Sequence, residues 1–168
     1  MRASSRGVAF FAALAAVACL TDFPNPLGPV SEGFIERRLL GSWNCVQADG
    51  SDLGTMTVLD FDGKQYHVSF ASEGEEPEQH RAYSSRIKEG NFWNIQSIQP
   101  KRDTNWSFLE YSFSETGRLL LRAVRPEPFE DIREDPAQVR KLLEVNLENS
   151  EFFEPAWECT PKESADGR

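Results

Sequence analysis

Three thiols are the groups in this 168-residue chain whose type and spacing most invite chemistry: Cys19, Cys45 and Cys159. Two of them sit in matching surroundings, Trp43-Asn44-Cys45 and Trp157-Glu158-Cys159. A bond between Cys45 and Cys159 would close nearly the whole folded region. In the chain-entropy view a loop of about 100 residues gains on the order of 4.7 kcal/mol from such a link. The alternative is three free thiols, a rare arrangement outside the cytosol. Pairing Cys45 with Cys159 leaves Cys19 over. It follows Ala16-Val17-Ala18 at the end of an uncharged apolar run from Val8 to Val17, behind Arg2 and Arg6. A positive start, a short apolar stretch and a small-x-small cleavage site are the pattern of a secretory signal peptide, expected over residues 1–18. A spanning helix needs ~20 apolar residues, and this run stops at Thr21, Asp22, Pro24 and Pro26.

Other reactive side chains form no recognisable constellation. His67 and His80 lack a third ligand at helical or hairpin spacing, so no zinc site is expected. The acidic run at residues 73–79, EGEEPEQ, lacks the alternating oxygen ligands of a calcium loop, and Asp60-x-Asp62-Gly63 is too short for one. Gly41-Ser42-Trp43 is not a nucleophile elbow, since no glycine follows two residues on. No glycine-rich phosphate loop or Cys-x-x-Cys occurs in the sequence. The expectation is a chain with no catalytic residue, no metal and no cofactor.

Charge narrows the partners. The formal net charge is −9, and removal of residues 1–18, with Arg2 and Arg6, takes it to −11. Such a chain repels phosphate backbones and anionic lipid. Nucleic-acid binding is not expected, and Lys101-Arg102 reads as a solvated loop.

The elements that must position these residues are mostly strands. TMTVLDF and KQYHVSF flank Asp62-Gly63, a strong two-residue hairpin signal. That register puts Leu59 opposite Tyr66 and Thr57 opposite Val68, with Leu59, Phe61, Tyr66, Val68 and Phe70 on one inward face. A second hairpin crosses Glu89-Gly90-Asn91. A third crosses Glu115-Thr116-Gly117, with Leu109, Tyr111, Phe113, Leu120 and Val124 aligned inward. With SWNCVQ at the start and PAWEC at the end, eight short strands are expected in an antiparallel barrel or sandwich. One segment breaks the pattern. Asp135 is an N-cap, Pro136 suits the first helical position and Gln138 completes a capping-box-like pair. Val139, Leu142, Leu143 and Leu147 then share a face of an amphipathic helix over 136–148. It would carry the last strand back beside the first. The organisation is then a signal peptide at 1–18, an extended tether at 19–33 rich in Pro and Gly, one domain at 34–161 and a frayed tail at 162–168.

Two resemblances add to this reading. Ala16-Val17-Ala18-Cys19 resembles the bacterial lipobox, in which a cysteine after small residues is acylated and becomes the first residue. The resemblance implies a lipid on Cys19, a membrane as partner and, with Leu20 following, outer-membrane sorting facing the periplasm. If a signal peptidase cuts the same bond and leaves the thiol bare, a secreted or periplasmic protein results. Gly41-x-Trp43, opening the first strand of a meander, resembles the lipocalin first-strand motif. The implied fold is a single mainly-β, up-and-down barrel of about eight strands with one helix before the last. The resemblance gives Gly41 a close chain approach, makes Trp43 the plug of one barrel end and offers Arg122 as the arginine stacked on it. It implies a small hydrophobic ligand held non-catalytically near Trp43, in a monomer. The alternatives are a filled barrel that contacts another envelope protein, and an enzyme whose site no motif betrays.

Overall fold

The alternating runs form eight antiparallel strands that close into one barrel in the computed structural model, which describes residues 23–98 and 105–162. They are β1 (Gly41–Val46), β2 (Asp52–Asp60), β3 (Tyr66–Ala71), β4 (Glu78–Ile87), β5 (Gly90–Ser97), β6 (Ser107–Phe113), β7 (Leu119–Ala123) and β8 (Trp157–Pro161). Each pairs with the next, and β8 returns to β1. The fold expected from the sequence, a mainly-β closed barrel with one helix before the last strand, is the fold observed. Side chains alternate between the two faces of a strand. The inward rows include Trp43 and Cys45, Met56 and Val58, Trp93 and Ile95, Leu119 and Leu121, and all of these are buried.

The register of the first hairpin differs from expectation by one residue. Leu59 pairs with His67, Val58 with Val68 and Asp60 with Tyr66. The connection is not a two-residue turn. It runs through residues 61–65 and is closed by the Phe61 amide donating to the Gln65 carbonyl at 2.9 Å. Asp62 organises it: its carboxylate accepts from the amides of Lys64 (3.0 Å) and Gln65 (2.7 Å) and from the Gln65 side chain (2.8 Å). These bonds, the Gln65 side chain foremost, hold the Asp62 carboxyl below its ordinary range. A one-residue slip turns every side chain to the other face. Met56 and Val58 therefore face the core, while Leu59 and Phe61 stand out at 53% and 73% exposure. In the third hairpin Phe113 pairs with Leu119, so Leu119 and Leu121 line the interior in place of Leu120. Val124 belongs to the outer wall.

A second apolar cluster lies on that outer wall. Tyr83, Ile87, Phe92 and Phe108 point outward from β4, β5 and β6 and are buried nonetheless. Two segments cover them. One is helix α1 (Pro136–Val145), capped at Asp135, whose carboxylate accepts from the amides of Ala137 and Gln138. Its Val139 and Leu143 are buried. It stops short of the expected residue 148 because Asn146 turns its side chain back onto the Leu142 carbonyl at 2.9 Å. The other cover is the N-terminal stretch. Residues 23–33, expected as part of an extended tether, instead form a strap laid on the wall. Phe23 and Leu27 are 1% and 3% exposed. Phe23 exchanges two 2.7 Å backbone bonds with Trp106 and stacks on Phe108 with ring centres 4.3 Å apart. The Leu27 amide donates to the buried Asn94 side chain at 2.7 Å. The segment ends in a short 3-10 turn, Val30–Glu32, and its spaced apolar side chains have a greasy wall to cover.

The strap then passes beneath the barrel. Phe34 bridges Ser84, and a short 3-10 turn, Arg37–Leu39, closes that end with Leu39 fully buried. The connections at 61–65, 88–89 and 114–118 share this closed end. Those at 47–51 and 72–77, with the end of β5 and the start of β6, surround the opposite mouth. Among the described residues no helix is long and apolar enough to cross a membrane.

Candidate functional site

The barrel interior is where a carrier would hold its ligand, so its lining decides what the fold can do. At the closed end Trp43 is 5% exposed, and its indole N–H donates to the Leu39 carbonyl at 2.9 Å. It packs near Phe113, over which the Arg38 guanidinium sits at 4.3 Å. Arg122 does not stack on Trp43. It lies on the outward face of β7, bonded to Glu110 at 2.6 Å and placed 4.3 Å over the Phe153 ring. At this end Arg38, in the turn before the strand, lies over an aromatic ring. Gly41 has φ +127°, a conformation that favours glycine, yet a Cβ there would meet nothing within 4 Å. The close approach belongs to Gly54, where a Cβ would fall 2.2 Å from the Ala71 carbonyl oxygen. Gly54 faces Cys45, beside the irregular step between Cys45 and Val46. The sequence signal for it was a lone glycine inside a strand, a mark of bulges and close chain contacts.

Further in, aromatics meet at the axis. Trp93 lies between Tyr66 and Tyr111, with ring centres 5.6 and 5.9 Å away. Ser84 joins the two phenols: Tyr111 donates to its hydroxyl at 3.0 Å, and the Tyr66 hydroxyl lies 3.1 Å from it. The Tyr66 oxygen also accepts from the Glu36 amide at 2.6 Å. Burial pushes both phenols up from their ordinary range. These hydroxyls tie the closing turn to the barrel and are poor proton donors to anything else near neutrality.

The two histidines do not converge. His67 pairs across the sheet with Leu59 and Arg81 and faces outward. His80 pairs with Val68, faces inward and meets the Phe70 ring edge-on at 5.6 Å. Among the described residues no group of three or more His, Cys, Asp or Glu side chains gathers as a metal site. At the mouth, Leu53, Met56, Phe70 and Trp157, with Glu75, Glu76 and Glu78 from the acidic run, line a pocket of about 30 Å³. That is room for a water or two. Small-molecule pockets start near ~300 Å³.

Cys45 and Cys159 form a disulfide, each less than 4% exposed, on the inner face of the β1–β8 seam. Cys19 and the signal-like residues 1–18 lie outside the described residues. Of the large aromatics in the strands, Tyr66 and Trp93 fill the barrel and Phe70 packs partly in. Trp106 and Phe108 belong to the outer wall, and Phe61 to the solvent. The described chain is thus an eight-stranded antiparallel barrel with a disulfide-closed seam and a side-chain-filled core. Comparison with family models, with characterised proteins and with solved structures finds no match to this chain.

Proposed function

We propose that this chain is a non-catalytic lipoprotein of the bacterial cell envelope, fastened through Cys19, that works through its surface and not by carrying a ligand inside its barrel. The observation that carries the reading is the filled interior. Trp43, Met56, Tyr66, Trp93, Tyr111 and Trp157 occupy the space a lipocalin-like carrier would leave open, and the mouth pocket is about 30 Å³. An eight-stranded barrel has room for its own side chains or for one small ligand, and this sequence spends that room on aromatics. Admitting an acyl chain would require several buried rings to leave.

The location rests on the thiols. The Cys45–Cys159 bond suits an oxidising compartment. It leaves Cys19 as the odd thiol, at the place where the lipobox resemblance puts an acyl group. Leu20 favours the outer membrane by the same resemblance. The partner of such a body is another envelope protein. Leu59 and Phe61, side by side at the end of β2, are among the large apolar side chains left exposed on the described residues, with Ile98 and Val145.

Intact-mass and native mass spectrometry of the protein extracted from membranes tests this. The expected result is an acylated Cys19 as first residue and no further bound mass, before or after incubation with fatty acids. A co-purifying lipid beyond the covalent one would restore the carrier. A mature chain beginning at an unmodified Cys19 would remove the anchor.

A further inference from the structure

We infer that the mouth of the barrel is its membrane-proximal end, held against the lipid surface by the docked strap; this rests on the anchoring of Cys19 proposed above. A tether of fifteen residues, 19–33, would let the barrel tumble freely. The strap removes most of that length. Its first described residue, Phe23, is locked by the paired backbone bonds to Trp106 and by its stack on Phe108. Leu27 is held by Asn94, and the Gly28 carbonyl accepts from the Tyr83 hydroxyl at 2.5 Å. Four links of chain separate Cys19 from Phe23. Four residues span at most roughly 14 Å even when fully extended.

Phe23 is docked at one particular end. Trp106 immediately precedes β6, and β6 starts at the mouth. The thioether sulfur of Cys19, seated at the bilayer interface, therefore keeps the β5–β6 corner of the mouth within that reach of the lipid. The closed end, with Arg37–Leu39 and the 114–118 connection, lies a strand length further away. A strand of seven residues is roughly 23 Å long.

The rim at this corner has a fitting chemistry. Ile98 follows β5 at the mouth, is held there by its amide donating to the Gln79 carbonyl at 3.0 Å, and is 46% exposed. The Arg81 guanidinium covers the Trp106 ring at 5.2 Å. An exposed apolar side chain and an arginine at the same rim, with Trp106 itself buried beneath the guanidinium, suit the headgroup boundary. The acidic turn at 72–77 shares the same mouth and repels anionic headgroups, so the occupant this surface fits best is a zwitterionic lipid face.

The test is resonance energy transfer from the acylated full-length protein in phosphatidylcholine vesicles carrying an acceptor-labelled lipid. With Cys19 acylated and Cys45 bonded to Cys159, a thiol introduced by Glu73→Cys at the mouth or Glu115→Cys at the closed end is the one free for a donor dye. Both positions are exposed. The expected result is transfer from the Glu73→Cys dye at least about twice that from the Glu115→Cys dye, as a strand-length offset requires. Inserting ten Gly/Ser residues between Leu20 and Phe23 should erase the difference while leaving the barrel intact. Equal transfer from both sites in the acylated parent, or stronger transfer from the closed end, overturns the orientation and leaves the anchor standing. A product whose Cys19 carries no acyl mass overturns both.

Discussion

Cys45 and Cys159 stand directly opposite each other across the β1–β8 seam, their Cα atoms 4.0 Å apart and their sulfurs bonded. This is where the barrel is made or lost. β8 holds β7 through the pairs from Leu119↔Cys159 to Leu121↔Trp157 and β1 through those from Trp43↔Pro161 to Val46↔Glu158. It arrives there only after the long excursion through α1. The bond spans 114 residues of sequence, so it restrains most of the unfolded chain as well as the seam.

Breaking that bond should cost about 2–5 kcal/mol. A paired Cys45→Ala and Cys159→Ala variant, compared with the parent in guanidinium titrations with and without reductant, gives the number. The parent's midpoint should fall on reduction to near that of the variant. An unmoved midpoint would mean that ladder bonds alone close the barrel.

The one-residue register shift in the first hairpin makes an opposite pair of predictions from the two possible pairings. With Val58 facing Val68, Met56→Ala should cost about 2–5 kcal/mol as a core truncation. Leu59→Ser and Phe61→Ser should each stay within about 0.5 kcal/mol. Under the two-residue turn the costs would fall on Leu59 and Phe61 instead, so the ranking of three denaturation midpoints decides between them.

The contrast explains what the sequence disclosed. Strand number, the Asp135 cap and the Cys45–Cys159 pair follow from local signals: alternation, turn residues, a capping side chain and repeated Trp-x-Cys surroundings. Those signals left barrel and sandwich open, and only the Gly41-x-Trp43 resemblance pointed to the barrel. The register does not, because Asp62-Gly63 suits both a two-residue turn and the longer loop. Only the hydrogen bonds that Asp62 makes to Lys64 and Gln65 select between them. The outer wall was hidden for another reason. β5 places Phe92 beside Trp93, so its large apolar side chains fall on both faces, and the alternation alone does not say that the outer one is covered. Whether Phe92 is buried depends on a strap and helix more than forty residues away in sequence. The filled interior is a matter of summed volume, to which no single position points.

Truncating the strap tests whether it is part of the fold. Phe23→Ala removes a ring stacked on Phe108 and set edge-on to Phe129 with centres 5.7 Å apart. It should cost about 3–5 kcal/mol, as large aromatic truncations do, and should speed proteolysis ahead of Gly33. A stability equal to the parent's would return residues 23–33 to the role of a loose tether.

The last prediction concerns pH and the ion pair on the outer wall. Glu110 bonds Arg122 with a closest approach of 2.5 Å, and their side chains are 15% and 31% exposed. Burial raises the Glu110 carboxyl above its ordinary range, and the Arg122 charge opposes this without cancelling it. The sign follows from proton counting. Between the unfolded value of 4.5 and the raised folded value, the native state holds more protons than the unfolded one, so stability falls as pH rises. The contribution is fully present below 4.5 and is lost as pH climbs through the folded value. Glu36 works the other way. Its bond to Arg38 lowers its carboxyl, so its share is present above 4.5 and lost as pH falls. Glu110→Gln isolates the first effect. The parent should lose stability relative to the variant as pH rises from 4.5 toward neutrality, and the Glu110 carboxyl resonance should titrate above that of exposed glutamates. A parallel pair of stability curves, with Glu110 titrating at the ordinary glutamate position, would show that Arg122 fully compensates the burial.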